Sequence, residues 1–375
     1  MIRMLNISRK EKFNNSKVSA GISIFFALTI IVSGFPPNVF IDDAAAQSSS
    51  TGNTGFEPWY YYAGGIINTA NGNLYISEKD ISIKARGFDI EIIRSYNSRD
   101  SVSLNQFGFG WTFNYNIKLT QNLDGSIITL IEGDGSKQTF IKEGDVYISP
   151  AGINSKLKKN IDNSFSLMHK DGSKYNFDQE GFLRNIEDKN KNHLIFTHSG
   201  GIITKIADDS GLFITINYNG GKISSIVDPI GRQISYEYDA NDLSKVTDEM
   251  GNSSLYKYYD NHKLNSIIDR VDSATLFSYT GEDRIKDIMK SQYNRSNNIY
   301  TIPFILNSFK YDDANKIVDI TDAMGYETSV KLNNFGNPVQ IIDPLGGITA
   351  MAWDSDMNLL SSTDPNNHGH SSIFQ

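Results

Sequence analysis

The sequence predicts an all-β protein that is built from antiparallel strand repeats and preceded by one N-terminal signal or anchor helix. Three observations support this prediction. An Asp-x-x-Gly tetrad or a near variant returns every 20 or 21 residues, a tyrosine follows each tetrad at a fixed distance, and residues 18–35 are the single long apolar run. Units of this length can bury an apolar face only by stacking on their neighbours.

The N-terminus has the pattern of an export signal. Residues 1–17 hold five cations and one acid, residues 18–35 carry no charge, and Ala44-Ala45-Ala46 supplies the small residues that a signal peptidase selects. A helix over residues 18–35 would be about 27 Å long, enough to span a bilayer core. Residues 1–46 are therefore a cleaved signal peptide or a retained signal anchor. We expect a secreted or cell-surface protein, anchored in the membrane by residues 18–35 if the signal is retained.

The composition excludes several classes of protein. The 375 residues are 39% hydrophobic, so the chain has enough apolar material for a core, and the absence of cysteine excludes disulfides and thiol chemistry. From residue 47 onward, 30 basic and 40 acidic residues give a net charge of −10. An acidic surface repels phosphate backbones, so the composition predicts no nucleic-acid partner.

The repeat has two phased signals. Asp, Pro and Gly at the first, second and fourth positions of the tetrad are the preferences of a type I turn. Each repeated tyrosine has an apolar residue two positions before it, which places both on one face of a strand. One unit is thus strand, turn, strand, turn. The turns start at Asp188, Asp208, Asp228, Asp248, Asp269, Asp322, Asp343 and Asp364, and the tyrosines are Tyr218, Tyr238, Tyr258, Tyr279 and Tyr311.

These residues resemble the YD repeat of the Rhs and teneurin-like family. The segment Tyr236-Glu237-Tyr238-Asp239 through Gly251 is similar to one repeat, and Phe309-Lys310-Tyr311-Asp312 through Gly325 is similar to another. Upstream, Arg94-Ser95-Tyr96-Asn97 and Phe107-Gly108-Phe109-Gly110-Trp111 resemble the domain that precedes these repeats in Rhs proteins. The resemblance covers residues 64–370 and implies an open or partial β-shell made from a spiralling strip of strands. A β-propeller is the alternative fold, because two units have the length of one blade.

The resemblance and the patterns together suggest a division of the chain. We expect a signal peptide or anchor at 1–46, a linker at 47–63 and an Rhs-associated N-terminal β domain at 64–118. A β-hairpin connector follows at 119–172, and YD repeats follow at 173–375 with an insertion near 281–308. Trp59, Tyr60, Tyr61 and Tyr62 lie next to the linker, so we expect these aromatics to be exposed.

The candidate chemical motifs are weak. Asp209-Ser210-Gly211 matches the aspartic-protease triplet, but it overlaps a repeat turn and has no facing carboxylate. His368-Gly369-His370 could hold a metal only with a third ligand. The remaining histidines show no spacing typical of a nucleophile and its base; they are His169, His193, His198 and His262. The sequence predicts no catalytic, cofactor-binding or metal residues and no cofactor.

Two functions follow as expectations. The first is an exported, non-enzymatic YD/Rhs scaffold, the N-terminal shell part of a cell-surface or effector-encapsulating protein that lacks its own toxin. The second is a surface adhesin or carbohydrate-binding module. The partners expected are a further YD-repeat chain, a cargo domain or a cell-surface glycan, with the membrane contacted only through the N-terminal helix.

Overall fold

A computed structural model describes residues 54–366 and 368–371. The signal or anchor helix expected at residues 18–35 lies outside these residues. The N-terminal part of the described chain holds one 3₁₀ helix, Ser98–Asp100, and seven strands: β1 (Tyr62–Ala63), β2 (Ile67–Asn68), β3 (Tyr75–Ile83), β4 (Ile90–Asn97), β5 (Leu104–Asn105), β6 (Gly108–Phe109) and β7 (Trp111–Phe113).

The rest of the described chain is a strip of 26 strands. Its first half contains β8 (Lys118–Gln121), β9 (Ile127–Ile131), β10 (Lys137–Glu143), β11 (Val146–Ile148), β12 (Lys156–Lys159), β13 (Phe165–Met168), β14 (Lys174–Phe177), β15 (Leu183–Glu187), β16 (His193–Ser199), β17 (Ile202–Asp208), β18 (Phe213–Asn219), β19 (Lys222–Val227) and β20 (Gln233–Asp239). Its second half contains β21 (Asp242–Thr247), β22 (Ser253–Tyr258), β23 (Leu264–Ile268), β24 (Ser273–Tyr279), β25 (Ile285–Asn294), β26 (Ile299–Tyr300), β27 (Phe304–Asp312), β28 (Ile317–Asp322), β29 (Glu327–Leu332), β30 (Pro338–Ile342), β31 (Ile348–Trp353), β32 (Leu359–Thr363) and β33 (Gly369–Ser371).

The strip strands pair antiparallel in sequence order, except that β25 pairs with both β26 and β27. No registered pair among the described residues joins β33 to β8. The free edge of β8 instead meets a later turn, where the Leu119 N–H donates to the Gly181 carbonyl oxygen over 2.9 Å. The all-β strand-repeat fold is confirmed. The propeller alternative is wrong, because blades would be separate sheets and this sheet is continuous. No helix in the described part of the chain has the length and apolarity needed to cross a membrane.

The repeated aspartates cap the turns at one edge of the strip. In the turn at 228–231, Oδ1 of Asp228 accepts hydrogen bonds from the N–H groups of Ile230 (3.0 Å) and Arg232 (2.8 Å). The Gly231 N–H donates to the Asp228 carbonyl oxygen, and Gly231 has φ +86°, which favours glycine. We call this edge the Asp rim. It is formed by the turns at 188–191, 208–211, 228–231, 248–251, 269–272, 322–325 and 343–346.

The repeated tyrosine ties each unit to the one before it. A β-bulge between Glu237 and Tyr238 re-aims the tyrosine, and its hydroxyl donates to the carbonyl oxygen of Ile223, fifteen residues earlier, over 2.7 Å. Trp353 makes the same tie through Nε1. Burial raises the pKa of Tyr238 above its usual value, so the hydroxyl stays a donor. The other ties start from Tyr218, Tyr258, Tyr279 and Tyr311.

The core is the inner face of the strip, and the N-terminal sheet lies against it. This sheet is formed by β3, β4 and β7. Side chains of the sheet that are almost fully buried share one hydrophobic cluster with inner-face residues of the repeats: Ile92, Tyr96, Trp111 and Phe113 from the sheet, and Ile216, Tyr236, Tyr256 and Phe277 from the repeats. The sheet and the repeats therefore share one buried interface, and the candidate site lies in it.

Candidate functional site

Two carboxylates and one arginine lie together on the hairpin formed by β3 and β4. Glu78 is paired directly with Arg94 across the hairpin, and a register shift between Lys79 and Ile81 leaves Asp80 as an extra residue in its strand. Bulges commonly re-aim a side chain in this way. The result is that Glu78, Asp80 and Arg94, which we call the buried triad, converge on the face that meets the repeats.

The Arg94 guanidinium is held by both acids. Nε donates to Asp80 Oδ2 over 2.5 Å, and Nη2 donates to Asp80 Oδ1 over 2.9 Å and to Glu78 Oε2 over 2.8 Å. Only 1% of the Arg94 side chain is exposed, against 12% for Glu78 and 6% for Asp80. Burial works to lower the pKa of Arg94, and the nearby negative charges outweigh it and hold the pKa well above its usual range.

Two consecutive repeats complete the triad. The Tyr236 hydroxyl donates to Asp80 Oδ2 over 2.8 Å, and the Tyr256 hydroxyl donates to Glu78 Oε2. Burial raises the pKa of both hydroxyls well above the usual tyrosine range, so both remain protonated donors. Aromatic rings surround the guanidinium, and its carbon lies 4.9 Å from the centroid of the Trp111 ring. The hydrogen-bonding capacity of the acids is thus shared between the sheet and the repeats.

The second of these repeats has further contacts with the N-terminal strands. Trp111 Nε1 donates to the Tyr258 hydroxyl over 2.8 Å, and the Leu264 N–H donates to the Tyr96 hydroxyl over 2.8 Å. Phe109 also stacks on the His262 ring, with centroids 3.9 Å apart. The arrangement positions one rigid element against another. One arginine faces two acids, so one carboxylate charge remains and is stabilised by the Tyr236 and Tyr256 hydroxyls. Because its atoms are buried, the triad is suited to docking.

The segment next to the linker is buried, so the prediction of exposed aromatics was wrong. Trp59 and Tyr60 are each 6% exposed and pack with Ala151 and Met357. The Asn337 side-chain amide donates to the Trp59 carbonyl oxygen over 3.3 Å. Tyr61 and Tyr62 are half-buried. Residues far away in the sequence cover this segment. Its position next to the linker therefore could not predict its exposure.

The sequence-level motifs fall on turns and strand ends. Asp209–Gly211 lies in the Asp208 turn, with Asp209 Oδ2 accepting from the His193 N–H over 2.8 Å. The His368 N–H donates to Asp364 Oδ1 over 2.8 Å, and the side chain of His370 lies outside the described part. His198 contacts Arg184, and the structure brings together one pair that spacing missed: His169 Nδ1 and the Ser155 hydroxyl, 2.8 Å apart. No group of three or more potential metal ligands occurs in residues 54–366 and 368–371.

The buried triad was missed at the sequence level. In the sequence analysis, Arg94 was named only as part of the segment Arg94-Ser95-Tyr96-Asn97 and was given no role. The available signal was an arginine in a strand otherwise rich in isoleucine, opposite a strand with acids at alternate positions, Glu78 and Asp80. That pattern predicts a cross-strand ion pair.

Comparison with known proteins identifies relatives. A family model described as "Domain of unknown function (DUF6531)" matches residues 64–140. The tRNA nuclease WapA of Bacillus subtilis strain 168 is 34% identical over 323 residues, which cover 81% of this chain and 13% of that protein. This chain is similar to WapA. The tRNA(Glu)-specific nuclease WapA of Bacillus subtilis subsp. natto is likewise 34% identical over 323 residues, with the same coverage of both chains. The chain thus spans about an eighth of the length of the WapA proteins it matches.

Solved structures also match, at low similarity. The match to the Tc holotoxin pore of Photorhabdus luminescens covers 80% of this chain and 18% of the matched chain, with 10% identity and a TM-score of 0.36. The match to the complex of TcdB2 with TccC3 covers 79% of this chain and 19% of the matched chain, with 12% identity and a TM-score of 0.36. The likeness to WapA supports the general part of the expected resemblance, a relation to β-repeat toxin proteins.

These relatives overturn three expectations. A non-enzymatic scaffold that lacks a toxin, its adhesin alternative and the exclusion of nucleic acid all conflict with relatives that are named tRNA nucleases. These relatives give no support for a further repeat chain, a cargo domain or a glycan as a partner. The exclusion failed for a physical reason, because net charge averages over a whole surface, whereas a nuclease needs only one local site for its substrate.

Proposed function

We propose that this chain is part of an exported tRNA nuclease of the WapA kind, and that residues 54–371 form a portion of its Rhs/YD shell. The observation that carries the proposal is the 34% identity to WapA over 323 residues. The relation to teneurin-like shells, and the location at the cell surface or outside the cell, belong to the same proposal.

The described residues contribute rigidity to this function. The strip supplies a curved wall, and the N-terminal sheet braces its inner face through the buried triad, Tyr236 and Tyr256. We also propose the division of the chain given above, with a signal at 1–46, the linker at 47–63, the N-terminal β domain at 64–118, the connector at 119–172 and the repeats from 173.

A chimera tests the proposal. The matching region of the Bacillus subtilis strain 168 nuclease is replaced by the corresponding residues of this chain, and the secreted chimera is incubated with total tRNA. We expect tRNA cleavage comparable to that of the parent nuclease, since the two regions build equivalent parts of one protein. The same chimera with Arg94→Ala is the matched control, and we expect it to be secreted poorly. A chimera that is secreted at the parent's level, resists proteolysis and leaves tRNA intact would overturn the proposal.

A further inference from the structure

The Asp rim carries a row of exposed apolar side chains. The third residue of five of its turns is aliphatic or methionine, and each of these side chains is between 69% and 95% exposed. We call this row the crest. Its members are Ile230, Met250, Val271, Met324 and Leu345.

The apolar residues of the crest are not a requirement of the turn. Two earlier rim turns with the same capped geometry have exposed polar residues at the equivalent position, Asn190 and Ser210. Open space at the turn glycine is common to both kinds of turn, since an added Cβ would meet nothing within 4 Å at Gly211 or at the crest glycines Gly231, Gly251, Gly325 and Gly346. Turn geometry therefore does not select the apolar residues, and exposed apolar rows of this kind mark interaction surfaces.

The insertion adds apolar surface to the same rim. β25 reaches the Asp rim and β27 starts there, so the insertion lies between Val271 and Met324. Three of its side chains are strongly exposed: Ile299 (59%), Ile302 (93%) and Phe304 (57%). With the crest, eight apolar side chains offer on the order of 800 Å² per copy, the area of a standard interface.

The spacing of the crest identifies its occupant. Neighbouring turns on one rim are two strands apart, which is about 10 Å. Together with the insertion, the crest has six stations at this spacing, and the row is symmetric about the point between Val271 and the insertion. A protein that contacts every one of these stations needs the same period, and a second copy of this chain has it.

The charged groups of the crest turns are engaged within their own chain. Asp269, Asp322 and Asp343 each accept two backbone N–H groups of their turn through Oδ1. Each arginine at this part of the rim is ion-paired within its own chain: Arg232 with Asp228, Arg270 with Asp248 and Arg295 with Asp272. We propose that the crest and the insertion together form a self-association surface, on which two copies dock crest to crest about a two-fold axis between Val271 and the insertion. This contact uses side chains of turns, goes beyond the proposed function and does not depend on it.

Cysteine cross-linking of the full chain tests the geometry. The sequence contains no cysteine, so introduced thiols are unique. The two-fold axis places Met250 of one copy opposite Met324 of the other, whereas two copies of Met250 are about 29 Å apart, beyond disulfide reach. We expect the double variant Met250→Cys, Met324→Cys to form a covalent dimer under mild oxidation, and Met250→Cys alone to form no covalent dimer. No dimer from the double variant, or equal dimer from both, would overturn the proposal.

Sedimentation of the full chain over a hundredfold concentration range tests the energetics. We expect Met250→Ser with Met324→Ser to weaken the wild-type dimer at least about tenfold. Leu123→Ser with Ile161→Ser is the matched control, since these exposed turn residues lie on the opposite rim, and we expect no change. A wild-type chain that is monomeric throughout contradicts the proposal. Binding of the wild type to phosphatidylcholine vesicles that the crest variant loses would assign the crest to a lipid surface instead.

Discussion

Arg94 is the side chain whose removal should damage the fold most. Arg94→Ala leaves Glu78 and Asp80 nearly buried, with only the Tyr236 and Tyr256 hydroxyls to stabilise their charges. Breaking a buried ion pair by removing one partner costs about 3–5 kcal/mol, because the remaining charge is desolvated and uncompensated. The exposed fractions of the two acids, 12% and 6%, leave little solvent screening. We therefore expect the free energy of unfolding to fall by about 3–5 kcal/mol.

Urea unfolding of the full chain, followed by tyrosine and tryptophan fluorescence, measures this loss. The matched control is the triple variant Glu78→Gln, Asp80→Asn, Arg94→Met, which removes all three charges while keeping similar volumes. We expect it to recover most of the loss, since no buried charge remains. If Arg94→Ala lowers the free energy of unfolding by less than about 1 kcal/mol, the triad is more hydrated than its contacts indicate and the reasoning fails.

Three further predictions concern the repeats and one half-buried acid. Tyr238→Phe removes only the hydroxyl tie and should cost about 1 kcal/mol, whereas Tyr238→Ala should cost about 3–5 kcal/mol in the same urea assay; no loss from Tyr238→Phe would show that the tie contributes nothing. Gly231→Ala should cost about 1 kcal/mol because φ is positive in open space, and Gly281→Ala, also in open space but without positive φ, should be neutral. Burial and a nearby carboxylate raise the pKa of Glu132 to about 7. The unfolded chain therefore loses this proton at lower pH than the folded chain, stability falls as pH rises from about 4.5 to 7, and Glu132→Gln should remove that slope; an unchanged slope would contradict the assignment.

The turns and ties were predictable because they are local. Asp228 caps groups two and four residues away, and Tyr238 bonds fifteen residues back, so a period of about 20 residues reveals both features. The triad was not predictable in this way, because Tyr256 meets Glu78 across 178 positions. The burial of Trp59 depends on Ala151 and Met357, which are also far away in the sequence. Contacts of this range are set by the curvature of the strip, which the repeat pattern does not encode.

The tyrosine tie has a consequence for how such a chain can lengthen during evolution. Tyr311 bonds the carbonyl oxygen of Ile285, 26 residues earlier, and the insertion at the Asp rim accounts for the difference from fifteen. The tie therefore forms whatever segment is inserted at that edge, provided that the strands on either side of the insertion stay neighbours. New loops can be acquired there without re-registering the repeats, and because each tie reaches only one unit back, a defect in one unit stays confined to its neighbours.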